Sequence, residues 1–71
     1  MEIPTNDEGM FEAVDVDGDV VGHGIVSADD VLDFAYTDGT REARVVMPVD
    51  QFVTIWETMA LHLGLTLRAA E

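Results

Sequence analysis

The chain has 71 residues, with fifteen Asp and Glu against three Arg and no Lys, for a net charge of −12. That length allows one small domain. The charge argues against a nucleic-acid binder, which needs Lys and Arg against phosphates, and against an anionic membrane surface, which attracts basic segments. The absence of cysteine excludes a disulfide framework, a thiol nucleophile and a cysteine-based zinc site. Apolar residues make up 48% of the chain, more than a disordered acidic tail holds, so it is expected to fold with its acids outside. No apolar run approaches the roughly 18 residues of a spanning helix, and no basic-then-apolar leader opens the chain, so a cytoplasmic protein is expected.

Residues 1–9 are polar and hold Pro4 and Gly9, which predicts a mobile arm ahead of a single domain over residues 10–71. Two β-prone runs then flank Asp17-Gly18, a strong hairpin signal because a two-residue turn of this kind needs positive φ at both centres. With Asp17 and Gly18 as the loop, Val16 faces Asp19, Val14 faces Val21 and Glu12 faces His23. On the other face Phe11 meets Gly24, where an aromatic ring replaces the packing that a strand glycine lacks. A second hairpin is expected around Asp38-Gly39. Its register sets Leu32, Phe34 and Tyr36 on one face with Ala43, Val45 and Met47. On the other face Asp33 falls opposite Arg44, while Arg41 falls opposite Tyr36, where its stem could lie over the ring.

Val49, Phe52, Val53, Trp56, Met59, Ala60 and Leu63 recur at helical spacing, with Pro48 or Asp50 at the start and Gly64 as the stop. Ile55 and Leu61 fall off this stripe, as a wide buried face or a contact surface. Leu65 to Arg68 alternates and suits a short fifth strand. The predicted fold is therefore α+β: a four-stranded antiparallel sheet on one amphipathic helix, in the order ββββα, with an added edge strand.

Asp15-Val16-Asp17-Gly18-Asp19 invites a calcium reading, but an EF-hand counted from Asp15 needs Gly at its sixth position and an acid at its twelfth. Val20 and Val26 stand there. His23 and His62 are the two imidazoles, with no further ligands at zinc spacing, and His23 suits an exposed strand position beside Glu12. Ser27 is the one serine, without a nucleophile-elbow motif, and no phosphate loop is present. No cofactor is implied, and an enzyme is not expected.

The charge is unevenly placed. Residues 1–40 carry eleven acids and no Arg, whereas residues 41–71 carry four acids and all three Arg. Alternate residues on a strand advance about 6.6 Å, near the roughly 6.8 Å of two base-pair steps. A row of Glu12, Asp15, Asp17, Asp19, Asp29, Asp30 and Asp33 is thus the candidate partner-binding surface. In size, charge and element order the chain resembles the small acidic DNA-mimic inhibitors, including anti-restriction proteins of phages and anti-CRISPR inhibitors of type I-C Cascade. That resemblance implies a basic nucleic-acid-binding partner, such as the DNA-recognising large subunit of Cascade, with these carboxylates as contacts. It implies neither nucleic acid nor membrane as partner, and a monomer or weak homodimer. Two other readings compete: an acidic surface adapted to high salt, as in halophilic archaea, and a dimeric toxin-neutralising or other interaction protein using a spare sheet edge.

Overall fold

The computed structural model describes residues 2–38 and 40–71, the Asp38 side chain excepted. Five strands and one helix follow in order: β1 (Met10–Val14), β2 (Val20–Val26), β3 (Val31–Asp38), β4 (Arg41–Pro48), α1 (Val49–Leu63) and β5 (Thr66–Ala69). They form one antiparallel sheet, β4-β3-β2-β1-β5, with the helix on one face. The expected α+β order is therefore observed, and the fifth strand pairs with β1, not with its chain neighbour β4. No described helix is long and apolar enough to cross a membrane.

The first hairpin keeps the expected register from Met10↔Ile25 to Ala13↔Gly22, then shifts, so that Val14 faces Val20 and not Val21. The cause is a longer loop than the two residues expected. Asp15 N–H donates to the Asp19 carbonyl and Gly18 N–H to the Asp15 carbonyl, both at 3.0 Å, with Gly18 at φ 84°. Val16, Asp17 and Gly18 thus form a three-residue loop whose last member is left-handed. The β2–β3 loop repeats this plan. Ser27 N–H donates to Val31 and Asp30 N–H to Ser27, with Asp30 at φ 59° in the place held by Gly18.

The Asp38-Gly39 turn expected for the second hairpin lies partly outside the described residues, but its strands are in register by a different count. Tyr36 faces Ala43, Phe34 faces Val45, and Arg41 faces Asp38 and not Tyr36. This is a displacement of two residues. Because side chains alternate with period two, the same residues still share each face. Asp33 and Arg44 consequently sit on a diagonal, not directly opposite.

Residues 2–9 pack more closely than an arm. Ile3 is buried in the core, and Asn6 Oδ1 accepts from the N–H groups of Glu8 and Met10, both at 2.9 Å. Asn6 Nδ2 donates to the Ala70 carbonyl at 3.2 Å, tying the segment to the end of β5. Asn6 to Gly9 is a turn, closed by Gly9 N–H on the Asn6 carbonyl.

Four aromatic rings fill the space between sheet and helix. Phe11 and Phe34 stack at 5.8 Å with their planes 3° apart, Phe34 meets Phe52 edge-on at 5.3 Å, and Phe52 stacks on Trp56 at 5.8 Å. Phe11 covers Gly24 as expected, and Phe34 covers Gly22 in the same way: a Cβ at Gly24 would lie 2.2 Å from Phe11 and one at Gly22 would lie 2.7 Å from Phe34. The helix starts after Pro48, with no side-chain cap, and stops at Gly64 in the left-handed conformation, its N–H bonded to Ala60. Phe52 and Trp56 are its buried residues; Leu63, expected in the core stripe, is half exposed, and Leu61 is 86% exposed.

The ring over Gly24 leads to a prediction. Gly24→Ala forces the buried Phe11 ring out of its stack and is expected to destabilise the protein by about 1–3 kcal/mol, read from urea unfolding. Gly18→Ala meets no neighbour and costs only the strain of its positive φ, of the order of 1 kcal/mol.

Candidate functional site

The seven candidate carboxylates do not form one row. Asp15, Asp17 and Asp19 lie in the β1–β2 loop, whereas Asp29 and Asp30 lie in the β2–β3 loop at the other end of the sheet. The intervening strand β2 has seven residues, so the two groups stand roughly 20 Å apart. Glu12 and Asp33 lie between them on the sheet face away from the helix, and each is paired with an arginine.

At the first pole the loop gathers its acids. Asp15 Oδ1 accepts from Asp17 N–H and Asp19 N–H, both at 2.9 Å, so this carboxylate builds the turn that presents the other two. Ligand oxygens of Asp15, Asp17 and Asp19 lie within 4.8 Å of one another. Like charges at this spacing repel and draw counter-ions. The EF-hand spacing remains unmet, since Val20 and Val26 lie in β2 at its two ends.

The second pole is broader than the sequence pattern indicates. Val26 N–H donates to the Gly9 carbonyl at 2.9 Å, which sets the Asn6–Gly9 turn, and with it Asp7 and Glu8, beside the Asp29-Asp30 loop. Val49 N–H donates to the Asp30 carbonyl, bringing the helix start and Asp50 to this end, and Ala70 N–H donates to Met10, bringing Glu71. Asp7 and Glu8 lie in the segment expected as an arm, and the Asn6…Gly9 pair, both turn formers, is the sequence signal for the turn that places them here.

On the sheet face, Glu12 is nearly buried, its side chain 11% exposed, and accepts from Arg68 Nε at 2.5 Å. His23 faces Glu12 from β2, as expected, but the charge partner is Arg68, directly opposite on β5. Asp33 takes two donors from Arg44, Nε at 2.8 Å and Nη2. The hydrogen bond from Arg44 holds Asp33 below the ordinary carboxylate range, against a smaller opposing effect of desolvation and with added Coulombic attraction. Apart from Glu42, exposed near the start of β4, the rest of this face is mostly apolar or neutral: Met10, Ile25, Val31 and Val46 are exposed there, and Met10, His23, Ile25, Asp33 and Ala35 line a shallow depression. Hence two of the three arginines neutralise Glu12 and Asp33, and the acidic loops lie at the ends of the face.

No family model, curated protein or solved structure matches this chain.

Two outcomes are expected. Arg68→Ala strands a nearly buried carboxylate and should cost about 1–3 kcal/mol in chemical denaturation, whereas Glu12→Gln with Arg68→Ala should cost less than Arg68→Ala alone. For Asp33, whose folded pKa is depressed, the stabilisation is present above the unfolded value near 3.9 and is lost as the pH falls through the folded value. The stability difference between wild type and Asp33→Asn should therefore shrink below about pH 4, as measured by urea unfolding across pH.

Proposed function

We propose that the protein is a non-enzymatic, acidic protein-binding module that occupies the basic nucleic-acid-binding surface of a target protein. The observation that carries this reading is the separation of charge: Glu12 and Asp33 on the sheet face are neutralised in place, while most of the other exposed acids collect at two poles. At one pole three carboxylates lie within 4.8 Å of one another. A surface of this kind competes with phosphates for Lys and Arg, and it speeds encounter by long-range attraction that salt screens. The DNA-mimic inhibitors supply the functional analogy, with the two poles replacing the single strand-borne row as the elements that stand in for phosphates. Asp17, Asp19, Asp29 and Asp30 are the contact residues; Asp15 supports the first loop. Glu12 and Asp33 hold the sheet together and are not contacts. A basic DNA-reading protein is the target class, and the large subunit of a type I-C Cascade is the first target to test.

The test is a competition assay, in which the protein displaces duplex DNA from that subunit at low and high salt. Asp17→Asn with Asp19→Asn, and separately Asp29→Asn with Asp30→Asn, should each weaken displacement at least about tenfold and flatten its salt dependence. Displacement that is indifferent both to salt and to these four changes would sink the proposal.

A second reading, adaptation to high salt, is favoured by the presence of free acids at both ends of the sheet and not on one side only. It requires the fold to depend on molar salt. A full native circular-dichroism spectrum and cooperative unfolding in dilute buffer would remove it.

A further inference from the structure

Strand β4 is an edge of the sheet, and seven of its eight residues are exposed. Val49 N–H bonds to the Asp30 carbonyl, and antiparallel pairs alternate from there. Ala43, Val45 and Met47 therefore bond inward to β3, while the backbone groups of Glu42, Arg44 and Val46 point away from the sheet. Pro48 falls at the next outward position, where a missing N–H costs nothing to the ladder. Such an edge is a template for another strand.

Beside it runs an apolar groove of about 360 Å³ between β4 and α1, bordered by Val45 and Met47 on the strand and by Ile55, Met59 and Leu63 on the helix. Ile55 and Leu63 are partly exposed. The free acids at the two poles belong mainly to residues 1–40; the part of the chain that builds this edge, residues 41–71, has a net charge of −1. It is the region where a second copy meets the least repulsion.

We propose that β4 pairs antiparallel with β4 of a second copy about a two-fold axis at Ala43, joining two five-stranded sheets into one and closing each groove with the other copy's helix. The charge pattern selects this register. With Ala43 opposite its counterpart, Glu42 faces Arg44 of the second copy and Arg44 faces Glu42, and both residues have their backbone donors and acceptors turned toward the partner. Moving the axis to Arg44 would set arginine against arginine, and moving it to Val45 would leave both charges opposite apolar residues or Pro48. Among the described residues Glu42 forms no ion pair within its own chain, and Arg44, although bound to Asp33, is 68% exposed. The pairing is isologous and closed, so it stops at a dimer. It also leaves both acidic poles of each copy exposed, so it stands or falls independently of the function proposed above.

Sedimentation equilibrium tests it. At about 100 µM protein and about 0.15 M salt, where the Debye length is near 8 Å, the wild type should sediment as a dimer. Glu42→Arg and Arg44→Glu should each place like charges opposite one another twice and weaken association at least about tenfold. An equimolar mixture of the two variants restores both opposite-charge pairs and should recover the dimer. Circular dichroism confirms that each variant is folded. A monomeric wild type, single variants that dimerise as tightly as wild type, or a mixture that stays monomeric would each overturn the proposal.

Discussion

The packing of two phenylalanine rings over two strand glycines is the constraint on which the rest of this structure depends. Gly22 and Gly24 have no side chains, so Phe34 and Phe11 lie flat across β2 with their planes nearly parallel. A Cβ at either glycine would lift its ring and open the stack. The flattened pair provides the surface on which Phe52 and Trp56 dock, which fixes the rotation of the helix about its axis. With those two residues turned to the rings, Ile55, Met59 and Leu63 are left toward β4, and the groove at the sheet edge follows. The core and the open edge are thus two results of one arrangement.

Charge follows from turn chemistry in a comparable way. Three-residue hairpin loops favour Asp, Asn, Ser and Gly because their side chains satisfy local N–H groups or tolerate left-handed φ. Asp15 and Ser27 serve the first role, through their side-chain oxygens, and Gly18 and Asp30 the second. A chain that builds its turns from aspartate concentrates negative charge at the ends of its sheet. The strand interiors hold few acids, and Glu12 and Asp33 there are matched by Arg68 and Arg44.

Much of the fold was legible because its signals are local. The Asp-Gly pairs marked the hairpins, the period of Phe52 to Met59 marked the helix, and the spacing from Phe11 to Gly24 anticipated an aromatic over a glycine. What was misread depended on details one or two residues wide: the Asp15 side chain lengthens the first loop, and the second hairpin is displaced by two residues. The two-residue displacement moves no side chain to the wrong face, because side chains alternate with period two, whereas the one-residue shift in the first hairpin sets Val20 opposite Val14 and leaves Val21 packed against the core. The candidate site was less legible. Whether acids thirteen or more residues apart share a surface depends on strand order and loop placement. Sequence alternation put Asp15 and Asp29 in one row, whereas they lie at opposite ends of β2. Arg68 as the partner of Glu12 required knowing that β5 lies beside β1.

That last pairing has a kinetic consequence. Strand β1 lies between β2 and β5, and its bond to Arg68 spans a separation of 56 residues. Loop closure of that length is slow compared with hairpin formation, so the two hairpins and the helix can assemble while one side of β1 still lacks its neighbour. On a ribosome, β1 emerges before β5, and Glu12 must wait for the 56 residues up to Arg68 before it meets its guanidinium. Until then the sheet has a second open edge with an unpaired acid beside it, and a charge at such an edge discourages premature strand-to-strand association. The residue that is nearly buried in the finished molecule is thus a charge beside an open edge until β5 docks.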